Sequence, residues 1–382
     1  MSKTKAESSK FTCRRIVAKF GTSLLTAGST NLNMERMTDL VKQVATLHKQ
    51  GVEVIIVTSG AIAAGREKLG LTKKSKGVAL KQVLASVGQG RLMNVYAHLF
   101  EQFDITVGQA LLTKLVLADR AGYLNARNTL LASLEMGIIP IINENDVVAV
   151  DEIREAHFGD NDNLSAMVAN LIDADLLLIL TDIDGLYNAD PNRDPSAALI
   201  PLVEKIDEKI EILVSGSTSG LGTGGMVTKI EAARLATESG VAVIIANGSK
   251  KDVLVRVAGG EAIGTRFLPV KSKLDSRERW LLSGLSTKGK LTVDDGAAKA
   301  LKNNDCSLLA AGINQVEGNF QRGDIVDICD LQGVKLGSGI TNYTAVEVQA
   351  IKGAHSKNIT DLLGYDSGSE VVHRNNLVIL QD

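Results

Sequence analysis

The chain of 382 residues predicts an α/β fold: an open, mainly parallel sheet sandwiched by helices, followed by a small β-rich domain. Three observations carry this. Over residues 13–270 short apolar runs alternate with longer amphipathic segments, as expected of strands buried on both faces by helices. Composition agrees, because 45% hydrophobic with only 3% aromatic residues suits an aliphatic α/β core better than an all-β sandwich. After Leu268-Pro269-Val270-Lys271 the pattern breaks, and short β-like pieces separated by Gly, Asn and Asp take over.

Taken in order, Arg15–Phe20 reads as a strand, Met34–Gln50 as a helix and Val52–Thr58 as a second strand. Ala61–Leu69 and Val78–Gln102 read as helices, Ile105–Leu112 as a strand, Arg120–Met136 as a helix and Ile138–Ile142 as a strand. A helix is expected to start near Leu164. Leu176–Leu180 and Val241–Ala246 are buried-strand patterns with a helix at Gly225–Ser239 between them. Farther on, Lys290–Val293, Ile325–Cys329 and Ala345–Ile351 read as β-like. The expected organisation is a disordered tail over 1–10, a first domain over 11–270, a linker over 271–286 and the β-rich domain over 287–370.

Composition also excludes some functions. A net charge of −2 provides no global basic field for nucleic acid or an anionic membrane. No apolar stretch reaches the roughly 18–20 residues that span a bilayer, and the polar first ten residues lack an export-signal core. Cys13, Cys306 and Cys329 stand far apart without metal-ligand spacing, as expected of reduced thiols in a cytoplasmic protein.

The polar material is concentrated where strands end. Lys19-Phe20-Gly21-Thr22-Ser23 follows the first strand and Thr58-Ser59-Gly60 the second. Asn143-Glu144-Asn145-Asp146, Thr181-Asp182 and Asn247-Gly248-Ser249 follow three others. In open α/β sheets ligands bind beyond the carboxyl ends of the strands, so the active site is expected on that edge. Gly159-Asp160-Asn161-Asp162-Asn163 adds carboxylates and carboxamides suited to polar, charged or metal-bound ligands. As plain structure, Asp160 or Asp162 would cap the following helix, which leaves Asn143–Asp146 unexplained.

Lys19 before a Gly-Thr-Ser turn is either a phosphate contact or a strand-end surface lysine. The run Gly220-Leu221-Gly222-Thr223-Gly224-Gly225-Met226-Val227-Thr228-Lys229 leads into a helix, so its amides and Lys229 suit an anion. It is not a Walker A loop, and the alternative to an anion site is a flexible hinge without a ligand. Thr181 and Asp182 begin either a tight turn or a nucleotide contact. Ser59-Gly60 either caps a helix or offers hydroxyl and amides to a carboxylate. His157, near the acidic cluster, has no metal partner at useful spacing. Two lysines in anion-friendly loops opposite a carboxylate/amide cluster fit phosphoryl transfer from a nucleotide, which works by positioning and electrostatics.

These motifs, with Val57–Gly65 and Thr181–Tyr187, occur in the order seen in the glutamate 5-kinase family of the amino-acid kinase superfamily, which the chain resembles over nearly its whole length. Val293–Ala297 and Gly318–Asp324 resemble its C-terminal PUA domain. The resemblance implies an amino-acid-kinase-like fold and ATP-dependent phosphorylation of the side-chain carboxylate of L-glutamate, the first step of proline synthesis. It also implies Mg²⁺ dependence, with the metal held mainly by ATP phosphates, and feedback inhibition by proline. A homo-oligomer (dimer or tetramer) and a downstream glutamyl-phosphate reductase as partner belong to the same expectation. By the family's pattern Lys19 and Lys229 contact phosphates, while Ser59, Asp146 and Asn161 hold glutamate. Thr181, Asp182, Thr223, Gly224, Gly225, Met226, Val227, Thr228 and Lys229 hold ATP, and Asp160 and Asp162 organise the reacting centre. Departures are Leu186-Tyr187-Asn188 where Leu-Tyr-Thr is usual and the charged loop Val147–Phe158, which bears on inhibitor sensitivity more than on chemistry.

Two rivals are a kinase of the same fold acting on aspartate, acetylglutamate or a nucleoside monophosphate, and an RNA-binding PUA protein. Residues 287–370 carry eight Lys/Arg against eleven Asp/Glu, net −3, and few aromatics. A basic stacking surface for nucleic acid is therefore not visible.

Overall fold

The computed structural model describes residues 13–71, 77–149, 161–191, 193–215, 225–270, 287–303, 306–365 and 367–380. The expected tail over 1–10 and linker over 271–286 lie outside them. Two compact units emerge, the first formed by residues up to Leu117 and Ala126–Ser272, the second by Ala118–Asn125 and Lys273 onward.

The first unit is built on strands β1 (Arg15–Phe20), β2 (Glu53–Thr58), β3 (Val107–Leu112), β4 (Ile139–Glu144), β5 (Leu176–Thr181), β6 (Leu202–Val203), β7 (Ala242–Asn247) and β8 (Thr265–Phe267). Among the described residues they form one sheet in the order β3-β4-β2-β1-β5-β7-β8-β6. The six strands from β3 to β7 in that order run parallel, and β8 is antiparallel to β7. The two- and three-residue strands β6 and β8 were not foreseen, because such short pieces carry no readable period.

Side-chain alternation divides the buried strands between two layers. Ile16, Ala18, Phe20, Val54, Ile56, Ile139, Ile141, Leu176, Leu178 and Leu180 join one core. That face is covered by α2 (Met34–Lys49), α3 (Ala61–Lys68) and α4 (Val78–Glu101), which follow the short α1 (Thr22–Thr26). After α5 (Lys114–Ala118) and α6 (Arg120–Glu135) comes α7 (Asn161–Leu171), which packs on β1, β2, β4 and β5. Beyond α8 (Glu208–Ser215), α9 (Met226–Glu238) packs on α7 and β7, and α10 (Val253–Ala258) packs on α2.

Helix α7 begins at Asn161, earlier than the expected start near Leu164. Asn and Asp are poor in helix interiors but good in a first turn, where Asp162 complements the helix dipole. Residues 161–163 are thus helical, with Asn161 and Asp162 buried.

In the second unit α11 (Asp295–Asn303) and α12 (Ala345–Ile351) accompany a five-stranded sheet of β9 (Thr287–Val293), β11 (Ile313–Gly318), β12 (Ile325–Cys329), β13 (Lys335–Ile340) and β15 (Leu377–Ile379). Strands β10 (Leu308–Leu309) and β14 (Glu370–Val372) pair separately, and α13 (Ile359–Leu363) follows α12. Ala345–Ile351 is helix, not strand as its β-branched alternation had indicated. Thr344 caps it, accepting from Glu347 N while the Glu347 carboxylate takes Thr344 N–H at 2.7 Å. This capping box outweighs a weak strand pattern. Among the described residues no helix is long and apolar enough to cross a membrane.

Candidate active site

Because β1, β2, β4, β5 and β7 are parallel, all five polar turns that follow them stand at one edge of the sheet. Parity decides what reaches what. Ile16, Ala18 and Phe20 face the α2–α4 layer, so Val17 and Lys19 face the opposite layer, where α7 lies. There Lys19 Nζ meets Asp162 Oδ1 at 2.6 Å. From α9, Lys229 Nζ approaches Asp162 Oδ2 at 3.2 Å. The Thr228 hydroxyl lies 2.9 Å from the same oxygen and 3.0 Å from the Gly225 carbonyl, sharing one proton between them. All three charged residues are buried, at 6% exposure for Lys19, 2% for Asp162 and 5% for Lys229.

The electrostatics follow from two cations sharing one anion. Burial alone would raise the Asp162 carboxyl, but Lys19, Lys229 and the bonds from Lys19 and Thr228 overcome it and hold the group at about 2. Burial pushes the Lys229 ammonium below the ordinary lysine value, and the Lys19 charge adds to this. Asp162 opposes that shift, as does Asp182 from the end of β5. The trio Lys19–Asp162–Lys229 therefore keeps one net positive charge in a dry place, where a charge acts most strongly on an incoming anion.

Beside the trio is an amide network. Asn161 Nδ2 lies 2.8 Å from the Thr58 carbonyl oxygen, 3.0 Å from Ser59 Oγ and 2.9 Å from Asn143 Oδ1. Asn143 Oδ1 also accepts from Glu144 N at 2.9 Å. Asn161 Oδ1 is buried without a hydrogen-bond partner among the described residues. Gly60 turns the chain from β2 into α3 at φ +103°, a left-handed conformation that favours glycine. Its neighbour Ser59 is thereby set beside Asn161. Thr58, on the α4 side of the sheet, shares a 2.8 Å hydrogen bond with the buried Tyr96 hydroxyl.

Of the residues singled out from the sequence, Lys19, Asp162, Thr228 and Lys229 come together, as do Ser59 and Asn161. The two groups are joined by the consecutive residues 161 and 162. Gly225 is the N-cap of α9, with Met226 and Val227 in its first turn. Thr181 donates to Asp182 at 3.0 Å at the end of β5. Asp146 is half-buried in the turn after β4. Asp160, Thr223 and Gly224 lie outside the described residues. Sequence reasoning missed Asn143, Gln89 and Tyr96. Asn143 sat unselected in a motif already noted, whereas Gln89 and Tyr96 lie inside a helix, where no local signal marks them.

A buried, net-positive lysine–aspartate–lysine trio stands at the carboxyl edge of a parallel sheet, the edge where open α/β sheets bind their ligands. The family model described as the amino acid kinase family matches residues 14–247, and that of the PUA domain matches 289–363. The chain belongs to the amino acid kinase family. Glutamate 5-kinase of Dehalococcoides mccartyi strain CBDB1 is 59% identical over 367 residues, covering 96% of this chain and 98% of its own. The proteins of the same name from Herpetosiphon aurantiacus (95% of this chain, 98% of its own) and Shewanella amazonensis (96% of each) are both 51% identical.

Proposed function

We propose that this protein transfers the γ-phosphoryl group of ATP to the side-chain carboxylate of L-glutamate, giving L-glutamyl 5-phosphate, the first step of proline biosynthesis. The observation that carries this reading is the pair of buried ammoniums sharing Asp162, next in sequence to Asn161, whose amide network leaves its Oδ1 without a partner among the described residues. The name shared by relatives that match 95–96% of the chain supports the same substrate.

The chemistry needs little else. A glutamate side chain titrates near about 4.3, so at neutral pH it is already an ionised nucleophile and needs no general base. Its oxygen attacks the γ-phosphorus, the bond to the β–γ bridging oxygen breaks, and ADP leaves with that electron pair. The obstacle is repulsion between two anions. Lys19 and Lys229 oppose it, and Asp162 holds both ammoniums in place. Ser59, Asp146 and Asn161 would hold the amino acid. Thr181, Asp182, Gly225, Met226, Val227 and Thr228 would line the nucleotide's side, joined by Thr223 and Gly224.

Among the described residues no three His, Cys or carboxylate side chains gather as a metal cage, and both Asp162 oxygens face lysines. Mg²⁺ is thus expected to arrive with ATP, held by phosphate oxygens, where it would neutralise charge on the β- and γ-phosphates. The reading extends to feedback inhibition by proline, a homo-oligomer and delivery of the labile acyl phosphate to a glutamyl-phosphate reductase in the cytoplasm.

The test is direct. Purified protein with ATP, Mg²⁺ and hydroxylamine is expected to form hydroxamate only when L-glutamate is added. Equal signal with aspartate or acetylglutamate would overturn the substrate, and no signal with any of the three would overturn the reaction.

A further inference from the structure

Gln89, on α4, is the next link of the bonding chain beyond Asn143, and its Oε1 lies 2.8 Å from Asn143 Nδ2. The orientation of every amide in this chain of bonds is fixed by its ends. The Thr58 carbonyl oxygen only accepts, so the Asn161 atom facing it at 2.8 Å is the NH₂ group. The Asn143 atom facing that NH₂ also faces the Glu144 backbone N–H, so it is oxygen. Asn143 must then present its own NH₂ to Gln89, and the Gln89 atom that meets it must accept. Flipping any one amide would set donor against donor or acceptor against acceptor.

The consequence falls on Asn161. With its two N–H bonds shared among Thr58, Ser59 and Asn143, its Oδ1 is left as a buried acceptor with no partner among the described residues. At neutral pH both carboxyl groups of free glutamate are ionised and only accept. The α-ammonium is then the one donor group the substrate carries, so an unpaired carbonyl oxygen suits that end of the molecule. If Asn161 were flipped, an NH₂ would meet the ammonium instead.

We infer that Gln89 is a positioning residue for the amino-acid acceptor, holding Asn143 so that Asn161 presents its carbonyl oxygen to the substrate's ammonium. Gln89 is remote from the Lys19–Asp162–Lys229 trio in this bonding chain, so its effect belongs to the acceptor and not to the nucleotide. This rests on the glutamate reading above.

The experiment compares full-length wild type, Gln89→Met (similar length, no acceptor) and Gln89→Glu (acceptor kept) in steady-state phosphorylation with glutamate and ATP varied separately, each with a melting curve. Gln89→Met is expected to raise KM for glutamate about tenfold, the scale of one lost hydrogen bond, with KM for ATP unchanged. Gln89→Glu is expected to stay close to wild type in both. An unchanged glutamate KM in Gln89→Met, or equal rises for glutamate and ATP, would overturn the inference. If Gln89→Met does not fold, Gln89→Glu decides: a tenfold rise despite the retained acceptor overturns it, and a near-normal KM supports it. A wild type that ignores glutamate would defeat the proposed function itself, whereas an active wild type with an indifferent Gln89→Met defeats only the role of Gln89.

Discussion

Asp162 is the anion that two buried ammoniums share. Asp162→Asn keeps the shape but removes the carboxylate that Lys19 and Lys229 share. Leaving buried ammoniums without it is expected to cost about 3–5 kcal/mol of stability, read as a lower urea midpoint. The pH dependence has a definite sign. The carboxyl is held at about 2 against an ordinary 3.8, so its contribution is fully present above 3.8 and is lost as pH falls towards 2. Wild type is therefore expected to lose roughly 2 kcal/mol more than Asp162→Asn across that acid window. Equal acid losses would show that the carboxylate is not held by the lysines. Lys229→Ala removes a cation without removing the anion. Turnover should fall about a hundredfold or more while circular dichroism shows a folded protein. Near-normal turnover would take the phosphate role away from Lys229.

At the scale of the element, α4 shows what a sequence conceals. Its segment Ser86-Val87-Gly88-Gln89-Gly90 holds two glycines that look interchangeable. A Cβ on Gly88 would lie 1.8 Å from the Ala61 carbonyl oxygen and 2.4 Å from Gly65 N. One on Gly90 would meet nothing within 4 Å. Gly88→Ala should force α3 and α4 apart, costing about 1–3 kcal/mol. Since Ala61 follows Ser59-Gly60 directly, it should also raise KM for glutamate. Gly90→Ala should instead stabilise by about 0.5–1 kcal/mol, because alanine orders a helix interior better than glycine. Thermal melts of the two variants shifting in the same direction would contradict the packing of α3 on α4.

This contrast also marks what was legible. The strands β1, β2, β5 and β7 were readable because their apolar runs are buried on both faces, and the polar turns after them because parallel pairing gathers them at one edge of the sheet. Lys19 was readable from the Gly-Thr-Ser turn that follows it at a strand end, and Asp162 from the run of carboxylates and carboxamides before a helix. Gln89 and Tyr96 were not, since a polar residue within a long helix looks the same whether it faces solvent or braces a site. Only the paired layer tells them apart. Ala345–Ile351 carries a strand-like alternation, but the Thr344–Glu347 capping box across its start makes it a helix.

For the whole molecule, the two units divide the work unequally. Lys19, Thr58, Ser59, Gln89, Asn143, Asn161, Asp162, Thr228 and Lys229 all belong to the first unit, and its sheet is complete at Phe267. A chain of residues 1–270 therefore contains every group used in the proposed chemistry and is expected to turn over glutamate within about an order of magnitude of the full chain. It should nevertheless be less stable. Ala118–Asn125 belongs with the second unit, where Leu124 is fully buried in a cluster with Ile325, Ile340 and Val378. Truncation exposes that side chain, a loss of roughly 1.5–3 kcal/mol of burial, and leaves an apolar residue on the surface. Leu124→Ser is expected to do nothing further to the stability of the truncated protein while destabilising the full chain, a difference that paired urea titrations read directly. A truncated chain that folds, melts cooperatively and yet forms no hydroxamate would place a catalytic contribution in the second unit and overturn this division.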